Sequence, residues 1–470
     1  MMDSPVLSGM NEDALLERVV ARCGAAAVMP AAETATRARN LRGDTFAALP
    51  LLRPANTAEV AFIVRLAREA GRSLIPVGGS TGLVDALLPA TGREWFLSLE
   101  RMRRIERIDR NSRIAVVEAG VVLQSLQDAA TEAGLLFAMD LGARGSATIG
   151  GLISTNAGGE RVLRFGMMRQ QVLGLEVVTA NGEVLDLMAE VLKNNAGYDL
   201  KQLFIGSEGT LGIVTRAVVR LRSGFAGHHC AMLGLDLAHV PSALARLEQG
   251  LGGTLSACEL MWPEFLDLMT SGSDAPHRHP LQSACESYLL VEAEGGDPEG
   301  DQARFMQVLE SMLEQEVIRD AAVAKSSAER DAFWAIRNDI PALASRFTPA
   351  AGFDVSLPIA DMADYVGELR PMLKEKWPQA RLLVFGHVAD NNLHVVVSIG
   401  DQTEVEKTAI ADCVYRGVVA RHGSISAEHG IGLQKREALH ARLPAPVLTL
   451  MRQLKAMMDP DGVLNPGKVV

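Results

Sequence analysis

The sequence predicts an α+β protein of more than one domain, and three observations carry that prediction. Between about residues 51 and 222, short apolar runs of strand length (74–75, 114–117, 175–179, 213–219) alternate with stretches of helical period at 57–70 and 123–134. Three glycine-rich segments interrupt the alternation: PVGGSTGL at 76–83, GARGSATIGGLISTNAGG at 142–159 and GSEGTLGIVT at 206–215. After Ser223 the texture changes to a second α+β region, where a Gly/Asp/Pro-rich loop at 295–301 separates a strand (288–293) from a helix (302–315). A chain of 470 residues, 48% of them hydrophobic, can bury more than one core. The boundaries read from the sequence are 1–222, 223–430 and 431–470.

In chain order, residues 11–45 read as helical and Ala-rich, and 203–205 (Leu-Phe-Ile) as a strand entering the third glycine-rich segment. Residues 271–280, SGSDAPHRHP, read as an irregular, disordered-looking bridge. The last helix, 444–458, is stopped by the Pro and Gly of DPDGVLNPGKVV.

The segment 142–159 carries one charge, Arg144, among almost nothing but small residues. Glycine has no Cβ and tolerates positive φ, so a backbone this bare can press against a large, flat, anionic ligand and present N–H groups to it. A linker would be polar throughout, whereas this run holds Ile149, Leu152 and Ile153 at a spacing that suits burial. There is no GxxxxGK[ST] and no G-x-G-x-x-G opening a helix, so the P-loop and Rossmann modes of phosphate binding lack their parts.

A net charge of −11 and the lack of a basic run argue against nucleic acid as a partner. No uncharged apolar stretch approaches the roughly 20 residues needed to span a membrane. The N-terminus, MMDSPVLSGMNEDALLERVV, lacks the zones of a signal peptide and is acidic where a transit peptide is Arg-rich, so the expectation is cytoplasmic. Cys23, Cys230, Cys258, Cys285 and Cys413 are widely spaced and contain no C-x-x-C. They suit buried thiols in a reducing compartment better than disulfides, iron–sulfur ligation or zinc fingers.

PVGGSTGL, then GSATIGGLISTNAGG with Arg164-Phe165-Gly166 and VLGLEVVTANGEVL, then KNNAGYDLKQLFIGSEGTLGIVT, resemble the FAD domain of the vanillyl-alcohol-oxidase-type flavoproteins. The C-terminal half resembles the branch that holds D-2-hydroxyglutarate dehydrogenase, D-lactate dehydrogenase and the glycolate oxidase flavin subunit, and the match runs from about Arg53 to the C-terminus. The resemblance implies a two-part FAD-binding domain, an α+β substrate or cap domain, and a C-terminal segment returning to the FAD domain. By it, Pro76, Val77, Gly78, Gly79, Ser80, Thr81, Gly82 and Leu83 cradle the FAD pyrophosphate. Gly142, Ser146, Thr148, Ile149, Gly151, Thr155, Asn156, Gly158 and Gly159 run along the ribityl chain and isoalloxazine. Glu208, Gly212 and Ile213 hold the adenine side, and Asn465 lies near the cofactor. Some relatives attach FAD through a histidine near the first loop. Here the first histidine of the chain is His228, and Ser80 or Thr81 occupies that region, so FAD is expected to be non-covalent.

The chemistry is expected in FGHVADNNLHVVV, 385–397, and SAEHGIG, 426–432. Asp390-Asn391-Asn392 is a turn-forming cluster between two strand-like runs, so a reversal there brings His387 and His394 side by side. With the Glu428 carboxylate they make the two-His, one-carboxylate set of catalytic metal sites, and the expected ion is a divalent metal, zinc first. The plainer reading is that each histidine only satisfies core hydrogen bonds. Neighbours on a regular strand point to opposite faces, so Glu428 and His429 share a site only through an irregular turn, which Gly430 and Gly432 permit. By the resemblance Glu428 is the third metal ligand, His429 the general base, and Asn392 a member of the catalytic set, with a role for His429 as ligand or orienting group kept open. Arg337, in FWAIRNDIP, matches the family arginine that grips a substrate carboxylate, either the reacting one or a distal one. By the resemblance, relatives acting on 2-hydroxyglutarate have a lysine where this chain has Gly352, a hydroxylated residue at Pro341 and a polar residue at Val396; Arg346 is a candidate compensating cation that the sequence does not place.

These readings converge on an FAD- and metal-dependent dehydrogenase that oxidises a small D-2-hydroxy acid to the 2-oxo acid, with hydride transfer to flavin N5. The chain has no cluster ligands, so the electrons are expected to pass to a separate acceptor, an electron-transferring flavoprotein or a quinone. A homodimer is compatible with the reading. Two alternatives stand beside it. One is a non-redox enzyme resembling alkyl-dihydroxyacetonephosphate synthase, which would not bleach its flavin with a hydroxy acid. The other is a non-catalytic flavin subunit of a glycolate-oxidase-like complex, a type that usually lacks the metal histidines.

Overall fold

The computed structural model describes residues 10–40 and 43–470. The first nine residues of the stretch read against a targeting signal lie outside the described residues. The chain forms two compact units: Met1–Gly159, Phe165–Gly224 and Glu428–Val470 make the first, and Glu160–Arg164 with Phe225–Ala427 the second. Among the described residues no helix is long and apolar enough to cross a membrane.

In the first unit, the helix Glu12–Cys23 starts at Asn11, whose side chain accepts the Ala14 N–H at 2.8 Å, and buries Leu15, Val19 and Cys23 at successive fours. The helical reading of 11–45 fails beyond Cys23. Gly24 ends the helix at φ 81°, and Pro30 allows only the single turn Ala31–Thr34. The helix Thr57–Glu69 forms as expected, capped by Asn56 and burying Val60, Ile63, Val64 and Ala67. A four-stranded sheet runs in the order Val28–Met29, Leu51–Leu52, Glu94–Ser98, Ser73–Val77. A five-stranded antiparallel sheet follows the order Ile105–Asp109, Ile114–Glu118, Ile213–Arg220, Val172–Val178, Val184–Leu187. Each fully buried Val, Leu or Ile in these layers contributes about 1.5–3 kcal/mol of transfer free energy.

The C-terminus closes this unit. Leu74 N–H donates to Val463 O at 2.7 Å and Asn465 N–H to Leu74 O at 2.8 Å, so residues 463–465 bridge onto the strand Ser73–Val77. The Lys455 ammonium, on the helix Ala445–Met458, reaches Thr210 O and Leu464 O, each at 2.8 Å.

Two short readings change. Residues 203–205 do not form a strand: Lys201–Phe204 is one helical turn that buries Phe204, because three residues are too few for periodicity to decide. The glycine-rich run 142–159 is not all loop. Ile149, Leu152 and Ile153 sit at helical spacing and bury one face of the helix Ile149–Thr155, which Asn156 ends in the left-handed region.

The second unit is built on a seven-stranded antiparallel sheet in the order Asp320–Val323, Gly227–Leu235, Ser287–Gly295, Leu255–Met261, Arg381–His387, Asn392–Ser398, Ala351–Ser356. The bridge 271–280 is anchored, with His277 Nε2 3.0 Å from Asp339 Oδ2 and Asp274 paired with Arg346.

Glu292 and Glu294, two apart on one strand, share a face and are 4% and 1% exposed. Arg161 Nη2 lies 3.0 Å from Glu294. Burial, and then the charge of Glu294, push the Glu292 carboxyl up to about 7. The unfolded chain titrates this group near ~4.3, so between those values the folded state holds the extra proton. Stability from this group is therefore present at low pH and falls as pH rises through that window. Glu292→Gln is expected to gain on the order of 1–3 kcal/mol over the parent at pH 8 and little at pH 4.5 in denaturant titrations; equal gains at both would contradict it.

Candidate active site

In the first unit three glycine-rich segments meet backbone to backbone. Pro76 and Val77 finish the strand Ser73–Val77, and the loop 78–83 follows. The Cβ that Gly79 lacks would fall 2.0 Å from Ser146 O, and that of Gly78 3.0 Å from Thr148 Oγ1. Side chains at either position would prise the first segment from the second. The second is tied to the third by Gly206 N–H to Ile153 O (3.0 Å) and Glu208 N–H to Ser154 O (2.7 Å). The third closes on the first where Gly209 packs against Pro76, and Gly212 leaves room for Phe204. Asn465 joins them, its Nδ2 donating to Glu208 O at 2.8 Å.

Four residues here hold positive φ without being glycine: Ser80 (55°), Asn156 (48°), Glu208 (52°) and Asn465 (43°). Backbone in this region costs about 1–3 kcal/mol for each such residue and collects at functional sites. Glu208 also has a task the sequence reading did not assign. Its carboxylate accepts Ile431 N–H at 2.7 Å and Gly432 N–H at 2.8 Å, which fixes the start of the returning C-terminal segment.

In the second unit His387 ends the strand Arg381–His387. A turn through Val388–Asp390 and Asn391, in the left-handed region at φ 73°, reverses the chain into Asn392–Ser398. The reversal sets the His387 and His394 rings 5.3 Å apart, and each offers a ring nitrogen within 4.8 Å of the other's. Glu259, directly opposite His387 on the strand Leu255–Met261, accepts from His387 Nδ1 and, at 2.8 Å, from Arg337 Nε. Arg337 is 5% exposed, lies over the Phe385 ring at 4.7 Å, and brings Nη2 to 3.5 Å from His387 Nε2. Burial would raise the Glu259 carboxyl, but the charges of and hydrogen bonds from His387 and Arg337 prevail and hold it at about 2. Asp354, opposite His394 and buried, accepts Asn392 Nδ2 at 2.6 Å and Ala427 N–H at 3.1 Å. The buried Asn392 Oδ1 has no hydrogen-bond partner among the described residues.

His387, His394, Asn392 and Arg337 thus gather in the second unit, while Glu428 and His429 open the last segment of the first. That segment is irregular, with Gly430 at φ 80° and Gly432 at φ 51°.

Residues 48–188 match the family described as FAD binding domain, and residues 232–469 match FAD linked oxidases, C-terminal domain. The chain belongs to the FAD-linked oxidase family. It is 38% identical over 439 residues to the mitochondrial D-2-hydroxyglutarate dehydrogenase of Bos taurus, spanning 92% of this chain and 78% of that one. To the D-2-hydroxyglutarate dehydrogenase of Xanthomonas citri pv. viticola it is 37% identical over 430 residues, 90% and 89% of the two chains. Among solved structures, p-cresol methylhydroxylase superposes with TM-score 0.74 at 14% identity over 98% of each chain. An alkyldihydroxyacetonephosphate synthase gives 0.73 at 18% identity over 99% and 87%. These two share the vanillyl-alcohol-oxidase-type fold. The protein is an FAD-dependent dehydrogenase on that two-domain scaffold.

The residues of this FAD-linked oxidase fit the cofactor. Among the described residues, Gly82, Gly142 and Gly145 have nothing within 4 Å of where a Cβ would stand, and Asn465 Oδ1, on a residue 3% exposed, lacks a hydrogen-bond partner. Two residues escaped the sequence reading, Glu259 and Asp354. The available signal was an acidic residue inside an otherwise apolar strand run, LSACELM and AGFDVS, which only pairing identifies as a partner of a histidine.

Gly79 and Gly82 separate the protein's needs from the cofactor's. Gly79→Ala meets backbone at 2.0 Å and should destabilise the apoprotein. Gly82→Ala meets no protein atom, so the apoprotein should melt as the parent does while FAD affinity drops by about 1–3 kcal/mol, the usual overpacking penalty. Flavin titration and melting of both apoproteins check this, and unchanged FAD affinity in Gly82→Ala would refute it.

Proposed function

We propose that this dehydrogenase oxidises a D-2-hydroxy acid to the 2-oxo acid and passes the electrons to a separate acceptor, an electron-transferring flavoprotein or a quinone. The carrying observation is the pair of buried residues Arg337 and His387 held by Glu259, with the His394 ring 5.3 Å from that of His387. It sets a guanidinium beside two imidazoles, which suits a carboxylate bearing an adjacent hydroxyl. The relatives named D-2-hydroxyglutarate dehydrogenase support the same substrate class. The cytoplasmic setting and non-covalent FAD belong to the proposal as well, on the sequence features already given.

His387, His394 and Glu428 would hold a divalent cation, with zinc proposed. The donor set supports it, and Glu428 is one peptide bond from Ala427, whose N–H rests on Asp354, the ladder partner of His394. When bound, the metal supplies Lewis acidity at the hydroxyl oxygen and FAD supplies a hydride acceptor at N5. Arg337 then grips a substrate carboxylate with its planar fork, held in place by Glu259 and the Phe385 ring. Asn392, anchored through Nδ2, turns Oδ1 to accept a hydrogen bond. His429 takes the hydroxyl proton on a ring nitrogen.

Anaerobic mixing with a panel of D- and L-2-hydroxy acids tests the function: the D-acids are expected to bleach the flavin, and bleaching by L-acids alone would reverse the stereochemical assignment. His394→Ala removes one proposed ligand and should lower metal content and turnover together, while a merely structural histidine would lower stability and leave metal content intact. Full activity after exhaustive chelation would sink the metal.

Substrate choice is proposed to follow from the departures at Gly352, Pro341 and Val396, which lie in the second unit. Gly352 faces Val396 across the ladder, Pro341 begins the helix Ile340–Arg346, and Arg346 Nη1 bonds Asp274 O and Oδ2 at 2.8 and 3.1 Å. A missing charge-assisted pair in a desolvated site is worth on the order of 2–5 kcal/mol. The specificity constant for D-2-hydroxyglutarate is therefore expected to exceed those for D-lactate and D-2-hydroxybutyrate by less than about a hundredfold, and a larger ratio would mean that another cation, Arg346 first, reads the distal carboxylate.

A further inference from the structure

We infer that Glu259 is a positioning residue that fixes the tautomer of His387 and so makes Nε2 its cation-ligating atom, an inference resting on the metal reading above. Glu259 is fully buried on the strand Leu255–Met261, and its register partner across the ladder is His387 itself. The carboxylate has two oxygens and two donors: Oε2 accepts from Arg337 Nε at 2.8 Å, and Oε1 accepts from His387 Nδ1. An ionised carboxylate only accepts, so the proton of that second bond sits on Nδ1 and the lone pair of the neutral ring sits on Nε2.

Arg337 gives an independent reading of the same ring. Its Nη2 lies 3.5 Å from His387 Nε2, and a guanidinium only donates. A proton on Nε2 would set two donors against each other there, so the doubly protonated and the Nε2–H forms are both disfavoured. One carboxylate thus holds the substrate-gripping arginine and presents the correct nitrogen of the first metal histidine, the arrangement by which an outer carboxylate orients a ligating imidazole.

Glu259→Gln tests this without changing volume. The amide has one acceptor for two donors, and the buried Arg337 charge has the stronger claim on it. The NH2 group then turns toward His387 Nδ1, the lone pair moves to Nδ1 and the hydrogen to Nε2. In the flavin-loaded enzyme, Zn2+ affinity measured by competition with a chromophoric chelator is expected to weaken about 10–100-fold. Glu259→Gln that binds Zn2+ as tightly as the parent overturns the inference, whereas a parent that binds none overturns the metal reading instead. Neutron diffraction from metal-free crystals of the unaltered enzyme needs no variant to fold: deuterium on His387 Nδ1 is the expected result, and deuterium on Nε2 overturns it.

Discussion

The buried ion pair between Glu259 and Arg337 is the constraint on which the second unit's chemistry depends. Both groups are out of water, at 0% and 5% exposure. Such a pair does not by itself stabilise a fold, since desolvation offsets the attraction, but removing one member leaves an uncompensated buried charge at a cost of about 3–5 kcal/mol. Its value is positional. Arg337 is held from one side by Glu259 and from another by the face of Phe385, which itself stacks on Phe265 with ring centres 4.3 Å apart. A side chain with many rotamers is thereby held in one place by two contacts, the kind of preorganisation that a binding site requires.

The first unit is organised by the opposite means. Missing side chains let backbone close up there: Gly79 lets the first segment reach Ser146 of the second, and within the second Gly150 lies against Ala119 and Gly159 against Asp140 O, where a Cβ would stand 1.8 Å away. What the side chains do there is hold the returning C-terminus. Glu208 caps Ile431 and Gly432, and Asp459 accepts Val463 N–H and Leu464 N–H at 2.8 Å while pairing with Lys455. Asn465 arrives beside the third segment because this last stretch is fastened at both ends.

The fold class and the glycine-rich segments are legible because their signals are local. Bare glycine runs and the turn cluster Asp390-Asn391-Asn392 act within a few residues. The hairpin that pairs His387 with His394 follows from seven residues of sequence. Glu259 was not legible because it lies 128 positions from His387 and meets it only through strand order. The helix Lys201–Phe204 was misread for a different reason: three apolar residues fit a strand and a buried turn equally, and the choice was made by Gly206 turning sharply at φ 81°. Beyond Cys23 the alanine content suggested helix, but Gly24 and Pro30 outweigh propensity.

This contrast between backbone and side-chain construction decides which positions can change. Where segments meet through glycine a substitution is costly, since the Cβ of Gly79 or Gly159 would strike backbone at 2.0 or 1.8 Å. A site built from side chains can change its outer positions while its anchored centre stays fixed. Gly352, Pro341 and Val396 are such positions: they lie on the second unit, and Gly352 has nothing within 4 Å of its absent Cβ. Glu259 interlocks with Arg337 and His387 through hydrogen bonds, and Asp354 with Asn392 and Ala427, so changing one member of either set strands another. The hydrogen-bonded centre is therefore the fixed part of the second unit, and the open positions around it are the part free to change.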